Sequence, residues 1–497
     1  MKNNNYDSIV IGSGLGGLTT AALLTHHGQK VLVLEKRDVP GGYASNFKRK
    51  NFTFDCSLHQ LTGASPGTLI WEILDKCWIV DKVEFIRHRE FMRGVFPDLD
   101  IIISQCSLET HKRQLIQLFP HEEENIHNVF AALIKICDEM VRFLRSKIPL
   151  WIEMIYFPLK YPHMAFNSKK TLADILAKIK DQRLKDIIGM SWGYYGLPPS
   201  QLSAEYFAAG WAAYLRAGGY CVRGGSQALS NAFVASIKEG GSEVKLNSPV
   251  KKILIEDGKA MGVETINGER FFARNIISNV NIPATVFQMV GEEYFPRRYI
   301  SKIKSQIPAI SAAVVYLGLD TTFQELGVND YEISLHPNYD FDAQYTASVE
   351  GDFKNAHILL ALHSNIDEST APEGKGVMSI TALSGYEIWA NLSEEEYKRK
   401  KDETTKIFID RSEKVIPNLS KHIEVCEIAT PLTMERRVGS YKGAFYGYAQ
   451  FVRQSGFLRV PEKTPIKNLD FVGAWTVPGG GYSSVMLSAY ELFKILT

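Results

Sequence analysis

The segment Gly12-Ser13-Gly14-Leu15-Gly16-Gly17 constrains the fold of this chain more than any other stretch. It fits the spacing GxGxxG. Before it lies a β-branched run, YDSIVIG from Tyr6; after it comes LTTAALLTHHG, which has helical apolar spacing and ends at Gly28, a C-terminal helix cap. The first glycine permits a sharp turn, and the second lets the backbone approach a pyrophosphate. The third, Gly17, allows close helix–strand packing. A pyrophosphate then lies at the positive end of the helix, with free N–H groups aimed at it. KVLVLEK follows, a near-continuous apolar run of the kind expected for a parallel strand buried on both faces. Glu35 ends that run 18 residues after Gly17, where an acid accepts hydrogen bonds from a ribose diol. Residues 6–36 therefore predict a βαβ dinucleotide unit, and Glu35 would repel an NADP phosphate.

Such a unit serves NAD and FAD alike, so the choice rests on later segments. Pro40-Gly41-Gly42-Tyr43-Ala44-Ser45 supplies a second glycine pair that lets another backbone segment reach the cofactor phosphates and ribityl chain. Taken alone, the pair reads equally well as a simple turn. Near the far end, Leu469 to Ala474 reads as a strand ended by Gly473, with a helix expected near Ser483. Between them, Pro478-Gly479-Gly480-Gly481-Tyr482 would let a flat ring lie against the main chain. The helix N-terminus there stabilises negative charge on a reduced flavin. The other reading of this stretch is a flexible loop. Together these segments point to FAD.

A chain of 497 residues exceeds one hydrophobic core, so two or more domains are expected. From about residue 65 to 210 the pattern is mainly helical, as in LIWEILDKC, HNVFAALIKICDEMVRFL and TLADILAKI. From 240 to 279 it switches to strands: EVKL, then VKKILIEDGKAMGVETI around an Asp257-Gly258 turn, then FFARNIIS. Mixed elements follow to about 430, and the chain closes with NLDFVGAW and the helix SSVMLSAYELFKIL. With no repeats and no low-complexity linker, the domains are expected to interleave. The predicted fold is α/β. Its FAD-binding domain, Rossmann-like, takes residues 1–65, 220–285 and 460–497; a mixed β-sheet substrate domain takes 66–140, 168–219 and 286–459; a helical, aromatic segment takes 141–167.

Lys plus Arg (56) nearly cancels Asp plus Glu (55), so no global field favours nucleic acid, and no nucleic-acid partner is expected. Cys56, Cys77, Cys106, Cys137, Cys221 and Cys426 are scattered without CxxC or Cys/His spacing, which predicts no metal site and reduced thiols in a cytoplasmic protein. The start, MKNNNYDS, is polar and leads straight into a strand, without a signal-peptide pattern. No run of about 18 apolar residues is present to form a spanning helix. Between Val141 and Phe166, however, Phe143, Leu144, Ile148, Trp151, Ile152, Ile155, Tyr156, Phe157, Tyr161 and Phe166 alternate with Arg142, Arg145, Lys147 and Lys160. That mixture suits peripheral membrane contact. It also suits a core helix forming the wall of an apolar site.

These blocks together resemble the FAD-dependent superfamily of phytoene desaturases, carotenoid isomerases and retinol saturases, over nearly the whole chain. The resemblance is carried by the fingerprint with Glu35, by PGGYAS followed by Phe52-Thr53-Phe54-Asp55, and by Gly218-Gly219-Tyr220 with Arg223-Gly224-Gly225-Ser226-Gln227-Ala228-Leu229. Asn247-Ser248-Pro249-Val250, Ile277-Ser278-Asn279-Val280, Thr430-Pro431-Leu432-Thr433 and Gly443-Ala444-Phe445-Tyr446-Gly447 continue it, and Val472 to Gly481 completes it. The resemblance implies a GR2-type flavoprotein that binds FAD through Gly12, Gly14, Leu15, Gly16, Gly17, Glu35, Lys36, Gly41, Gly42, Tyr43, Val250, Asn279, Gly473, Ala474, Gly480, Gly481, Tyr482 and Ser483. Val250 would meet the adenine side through its backbone. Many relatives carry Arg where Tyr43 stands, and His59 falls where retinol-saturase-like sequences carry a His. Both features resemble the isomerase and saturase branches more than a simple desaturase.

The implied activity is desaturation, saturation or isomerisation of C=C or CH–CH bonds in a long apolar polyene or isoprenoid. The flavin carries hydride or electrons, and the protein orients substrate and excludes water. An apolar slot is expected, lined by aromatics such as Tyr194, Tyr195, Trp211 and Tyr214, although aromatics of this kind more often pack in a core. If a C=C bond is reduced or shifted, an acid or base is needed; His59 and Tyr446 are the candidates, with Glu205 behind them. A lone His more often serves structure than catalysis. The alternatives are a flavin amine oxidase and a non-enzymatic escort of prenylated proteins.

Overall fold

The computed structural model describes residues 6–497 except Leu58, Gln105, Cys106, Lys147 and Pro149, and describes Leu150 through its backbone alone. The polar start 1–5, Cys106, Lys147 and the Leu58 position before His59 thus lie outside the described residues.

The βαβ unit forms as expected, with strand Tyr6–Ile11, helix Leu15–His26 and strand Val31–Leu34. The strands pair in parallel, Ser8 opposite Val31 and Ile9 opposite Leu32. Gly28, at φ +86°, ends the helix; its N–H bonds to Thr25 O and the Gln29 N–H to Leu24 O, the paired bonds of a Schellman cap. Both strands carry apolar side chains on two faces, and the two-residue period sorts them. Val10, Val31 and Val33 pack under Leu18, Leu24, Phe233 and Met486. Ile9, Ile11, Leu32 and Leu34 pack on the opposite side with Ile253, Val263, Val286 and Phe471.

Distant segments complete this sheet. Strand Glu243–Lys245 pairs in parallel with Val31–Leu34, and strand Arg270–Ser278 with Tyr6–Ile11. Strand Leu469–Phe471 joins the far side of Arg270–Ser278 in parallel, Ile276 opposite Leu469. It is shorter than Leu469 to Ala474, because Gly473 at φ +99° already turns the chain. Strands Val250–Glu256 and Lys259–Thr265 form the expected hairpin, with Asp257 and Gly258 both at positive φ, and Lys259–Thr265 pairs antiparallel with the start of Arg270–Ser278.

A second sheet runs, in spatial order, through Ile423–Ala429, Ser311–Leu319, Gly376–Ser384, Ile358–Ala361, Glu332–Leu335, Glu90–Val95 and Asp100–Ser104. The last two strands, with Phe85–Arg87, correct the helical reading of residues 65 to 210. In Asp100–Ser104, Ile101 and Ile103 face inward while Ile102 is exposed, an alternation that three successive isoleucines conceal in sequence. Helix remains the rule elsewhere in that region, at Leu69–Lys76, Glu123–Leu144 and Ala204–Ala217. The segment TLADILAKI yields only the short helix Leu172–Leu176, capped by a reciprocal Thr171–Asp174 box.

Helix Gly225–Glu239 begins where the glycine-rich Arg223 to Leu229 element predicts a tight turn, with Gly224 and Gly225 at positive φ. Its N-terminus is closed by protein. Asp55 accepts from the Ser226 N–H at 2.7 Å, and Asn46 accepts from the Gln227 N–H at 3.2 Å. Asp55 is therefore the joint between this helix and the Asn46–Arg49/Phe52–Asp55 hairpin.

The helical region containing 141–167 packs with Phe91, Met92, Ile101 and Ile103 of the second sheet in one core. The segment divides by face. Phe157, Tyr161 and Met164 point inward, and Phe143 packs against Phe157 and Tyr161. On helix Leu150–Lys160, Trp151, Ile155 and Leu159 recur at four-residue spacing, lie on one face and are 63–82% exposed, with Phe166 beyond them at 74%. Among the described residues no helix is long and apolar enough to cross a membrane.

Candidate functional site

One cavity of about 970 Å³ connects the βαβ unit, the second sheet and the helical region. Two helices open onto it with uncapped N-termini. Helix Leu15–His26 starts after Gly14, and helix Tyr482–Leu496 starts after Gly481, at φ +98°. Neither has a side-chain cap or an acidic residue in its first turn, in contrast to helix Gly225–Glu239 and its Asp55 cap. The unpaired N–H groups and helix dipoles at both ends therefore present positive potential to one cavity. The geometry suits an anionic dinucleotide that ends in an electron-accepting ring.

All the residues expected to touch cofactor line this cavity except Gly17 and Gly473. Those two act in packing. A Cβ on Gly17 would stand 2.3 Å from Gly12 O, and one on Gly473 would stand 2.5 Å from Asn279 Oδ1. The second glycine pair meets the first directly: the Gly41 N–H donates to Ser13 O at 2.9 Å, and a Cβ on Gly42 would lie 3.4 Å from Gly14 Cα. A floor of bare main chain results. Asn279 inserts its amide between the Gly14–Gly16 turn and Gly473.

Glu35 is buried at the end of its strand. Its Oε2 accepts from the Ser13 N–H at 2.8 Å and the Ser13 hydroxyl at 2.7 Å, and its Oε1 accepts from the Arg37 N–H at 2.9 Å. These bonds use part of the lone-pair capacity of a carboxylate, and the remainder is free for a diol. Val250 lies beside it, because the Ser248 N–H donates to Glu35 O at 2.7 Å. Lys36 also lines this end, and burial lowers its pKa. The Tyr43 hydroxyl bridges the carbonyls of Gly443 and Ala444 at 3.2 Å each, so it ties the second glycine turn to the 443–447 segment. The Tyr482 hydroxyl bonds with Ser226 and Tyr43 O, and the Ser483 hydroxyl donates to Thr62 O.

Beyond the glycine floor the cavity becomes an aromatic and aliphatic chamber. His59, Tyr194, Tyr195, Tyr206, Tyr214 and Tyr446 line it. Trp211 does not; it is a core residue against Phe130 and Phe207, on the far side of helix Ala204–Ala217. Tyr446 packs its backbone on Gly480, burial raises its phenol pKa, and its hydroxyl lies 3.5 Å from Gly193 O.

Two buried residues behind the chamber lining escaped the sequence reading. Glu332, its side chain fully buried, accepts from Gln60 Nε2 at 2.8 Å and from the Tyr194 hydroxyl on Oε2. Its Oε1 lies 3.2 Å from His59 Nδ1, at ion-pair distance but out of line for a hydrogen bond. Arg459, also buried, donates from Nε to Thr476 O at 2.6 Å and from Nη2 to Ala474 O at 2.8 Å, which clamps the loop that leads to Gly480. Burial lowers its pKa to about 10, so it remains a cation at neutral pH. Among the described residues no group of three His, Cys, Asp or Glu side chains is arranged to hold a metal.

A glycine-floored cavity entered by two bare helix N-termini, built on this pair of sheets, defines an FAD-dependent oxidoreductase. The chain belongs to the family of flavin-containing amine oxidoreductases, whose model matches residues 15–491. It is similar to the chloroplastic prolycopene isomerase of Daucus carota, 29% identical over 497 residues that cover 98% of this chain and 79% of that one. It is also similar to the all-trans-retinol 13,14-reductase of Danio rerio, 24% identical over 517 residues, with 94% and 82% covered. Among solved structures, an oxidoreductase from Methanosarcina mazei shares the fold with a TM-score of 0.66 at 19% identity, over 98% of this chain and 100% of that one.

Proposed function

We propose that this enzyme isomerises, reduces or desaturates C=C or CH–CH bonds in a long apolar polyene or isoprenoid. The observation that carries this reading is the chamber: aromatic and aliphatic walls continue directly from the glycine floor, with few polar groups. Such a site suits a hydrocarbon chain better than a short charged amine. Relatives named for prolycopene and retinol support the same choice.

In this proposal Gly12, Gly14, Leu15, Gly16, Gly41 and Gly42 hold the FAD pyrophosphate. Glu35, Lys36 and Val250 surround the adenosine, and Tyr43, Asn279, Ala474, Gly480, Gly481, Tyr482 and Ser483 flank the flavin half. Segments 1–65, 220–285 and 460–497 form the FAD-binding domain; 66–140, 168–219 and 286–459 form the substrate domain. When bound, the flavin supplies hydride or electron transfer. The chain's own work is to align the polyene, keep water out and place a proton donor or acceptor at His59 Nε2, with the Tyr446 hydroxyl as the second candidate. Addition of a polyene to the anaerobic holoenzyme should change the flavin visible spectrum and yield altered polyene isomers or saturation states on chromatography. A flavin that is bleached by primary amines and indifferent to polyenes would overturn the proposal.

The exposed Trp151, Ile155, Leu159 and Phe166 face supports a second element, peripheral docking on a bilayer. Met140, Val141, Phe143 and Met164, from the same helical region, line the cavity, which suits delivery of substrate from lipid. Burying a Leu side chain contributes about 1.5–3 kcal/mol. Leu159→Glu should therefore weaken co-sedimentation with phosphatidylcholine vesicles by roughly tenfold or more, with activity on detergent-solubilised substrate retained. Unchanged sedimentation would remove the docking face.

A further inference from the structure

Helix Ala204–Ala217 forms one wall of the chamber, and most of its polar groups there are already engaged. The Tyr206 hydroxyl donates to Gly480 O at 2.7 Å, and the Tyr214 hydroxyl donates to Gln60 O at 3.1 Å. Arg216 pairs with Asp138, and across the cavity Arg145 pairs with Glu72. Glu205 is the exception. It lines the cavity and is 9% exposed, and among the described residues its carboxyl has neither a hydrogen bond nor an ion pair.

The carboxyl sits against the Gly456 turn, where a Cβ on Gly456 would stand 3.4 Å from Oε2. The next residue, Phe457, packs edge-on against Phe143 and Phe157 and is itself 47% exposed. Glu205 thus lies beside the turn that carries the half-exposed Phe457. A desolvated carboxyl without a partner is costly. Burial raises its pKa to about 7, so a large fraction is protonated near neutrality, able both to donate and to accept.

We propose that Glu205 reads a hydroxyl or carbonyl group at one end of an otherwise apolar polyene or isoprenoid, so that the enzyme selects oxygenated substrates over pure hydrocarbons. The inference rests on the polyene reading of the cavity. An end-group oxygen satisfies the carboxyl that the protein leaves unpaired, while a substrate without that oxygen leaves it desolvated and unmatched. Sites built to hydrogen-bond a hydroxyl discriminate strongly against the analogue that lacks it.

Retinol, retinal and axerophtene, the hydrocarbon with hydrogen in place of the retinol hydroxyl, can be titrated into the FAD holoenzyme and followed by the flavin difference spectrum. The alcohol or aldehyde should bind at least tenfold tighter than the hydrocarbon. Glu205→Leu should abolish that preference, and Glu205→Gln, which still donates and accepts, should keep most of it. Equal binding of all three by the wild type, or a preference that survives in Glu205→Leu, overturns the proposal and leaves the polyene reading intact. Tightest binding of retinylamine, lost in Glu205→Gln, overturns it in favour of an ammonium ligand. If no polyene perturbs the flavin, the polyene reading itself fails and the proposal with it.

Discussion

Gly17→Ala should yield a protein that purifies with little or no flavin. The added methyl would stand 2.3 Å from Gly12 O, 3.1 Å from Asn279 Cβ and 3.2 Å from Val10 Cγ1. The nearest of these is backbone, which cannot rotate away. The helix Leu15–His26 must lift off the strand Tyr6–Ile11, and its first-turn N–H groups then leave the cavity floor. Overpacking of this kind costs about 1–3 kcal/mol in a well-packed core. Here the strain falls on the groups proposed to hold the pyrophosphate. Gly28→Asn is the control: a Cβ there meets nothing within 4 Å, and Asn tolerates the φ of +86°. The ratio of flavin to protein absorbance distinguishes the two. A Gly17→Ala protein with full flavin content would show that helix–strand spacing does not control cofactor retention.

The parts of the molecule that were legible in sequence are those whose chemistry is local. The Gly12–Gly17 turn and the Gly28 cap declare themselves within a few residues, because close approach or backbone conformation there demands glycine, and the Glu35 strand end follows from its spacing after that turn. The Asp257-Gly258 hairpin did so for the same reason. Strands Glu90–Val95 and Asp100–Ser104 were hidden, since Ile101-Ile102-Ile103 shows no alternation and Glu90–Val95, on which Asp100–Ser104 pairs, is fixed by pairing with Glu332–Leu335, far along the chain. Glu332 meets Gln60 across 272 residues, and nothing near either residue announces the meeting. Arg459 gave no signal either, because its partners are main-chain carbonyls at Ala474 and Thr476, which any sequence would supply. Trp211 failed in the opposite sense. It lies on the cavity helix, but its side chain points into the core with Phe130 and Phe207.

That same buried carboxylate changes what is expected of His59. A lone His near a cavity is an ambiguous feature; a His whose Nδ1 lies 3.2 Å from a fully buried Glu332 has an electrostatic partner. Its Nδ1 is turned toward Oε1, and Nε2 remains as the ring nitrogen for the chamber. The carboxylate in turn is fixed by Gln60 and Tyr194 through its other oxygen. If His59 moves a proton in the reaction, His59→Asn should lower turnover by about 10²–10⁴-fold, the usual worth of a positioned acid or base. Flavin content should stay unchanged, because His59 lies outside the glycine floor. Glu332→Gln preserves acceptance from Gln60 and Tyr194 but removes the carboxylate that would stabilise a protonated ring, and should cost roughly tenfold in turnover. The decisive measurement is the double variant. If Glu332 acts through His59, Glu332→Gln should cost almost nothing further once His59→Asn is in place, as residues that work as one unit are non-additive. Fully additive losses would assign Glu332 to the packing of the chamber wall, and unchanged turnover in His59→Asn would remove His59 from the chemistry and leave Tyr446 as the proton-bearing candidate.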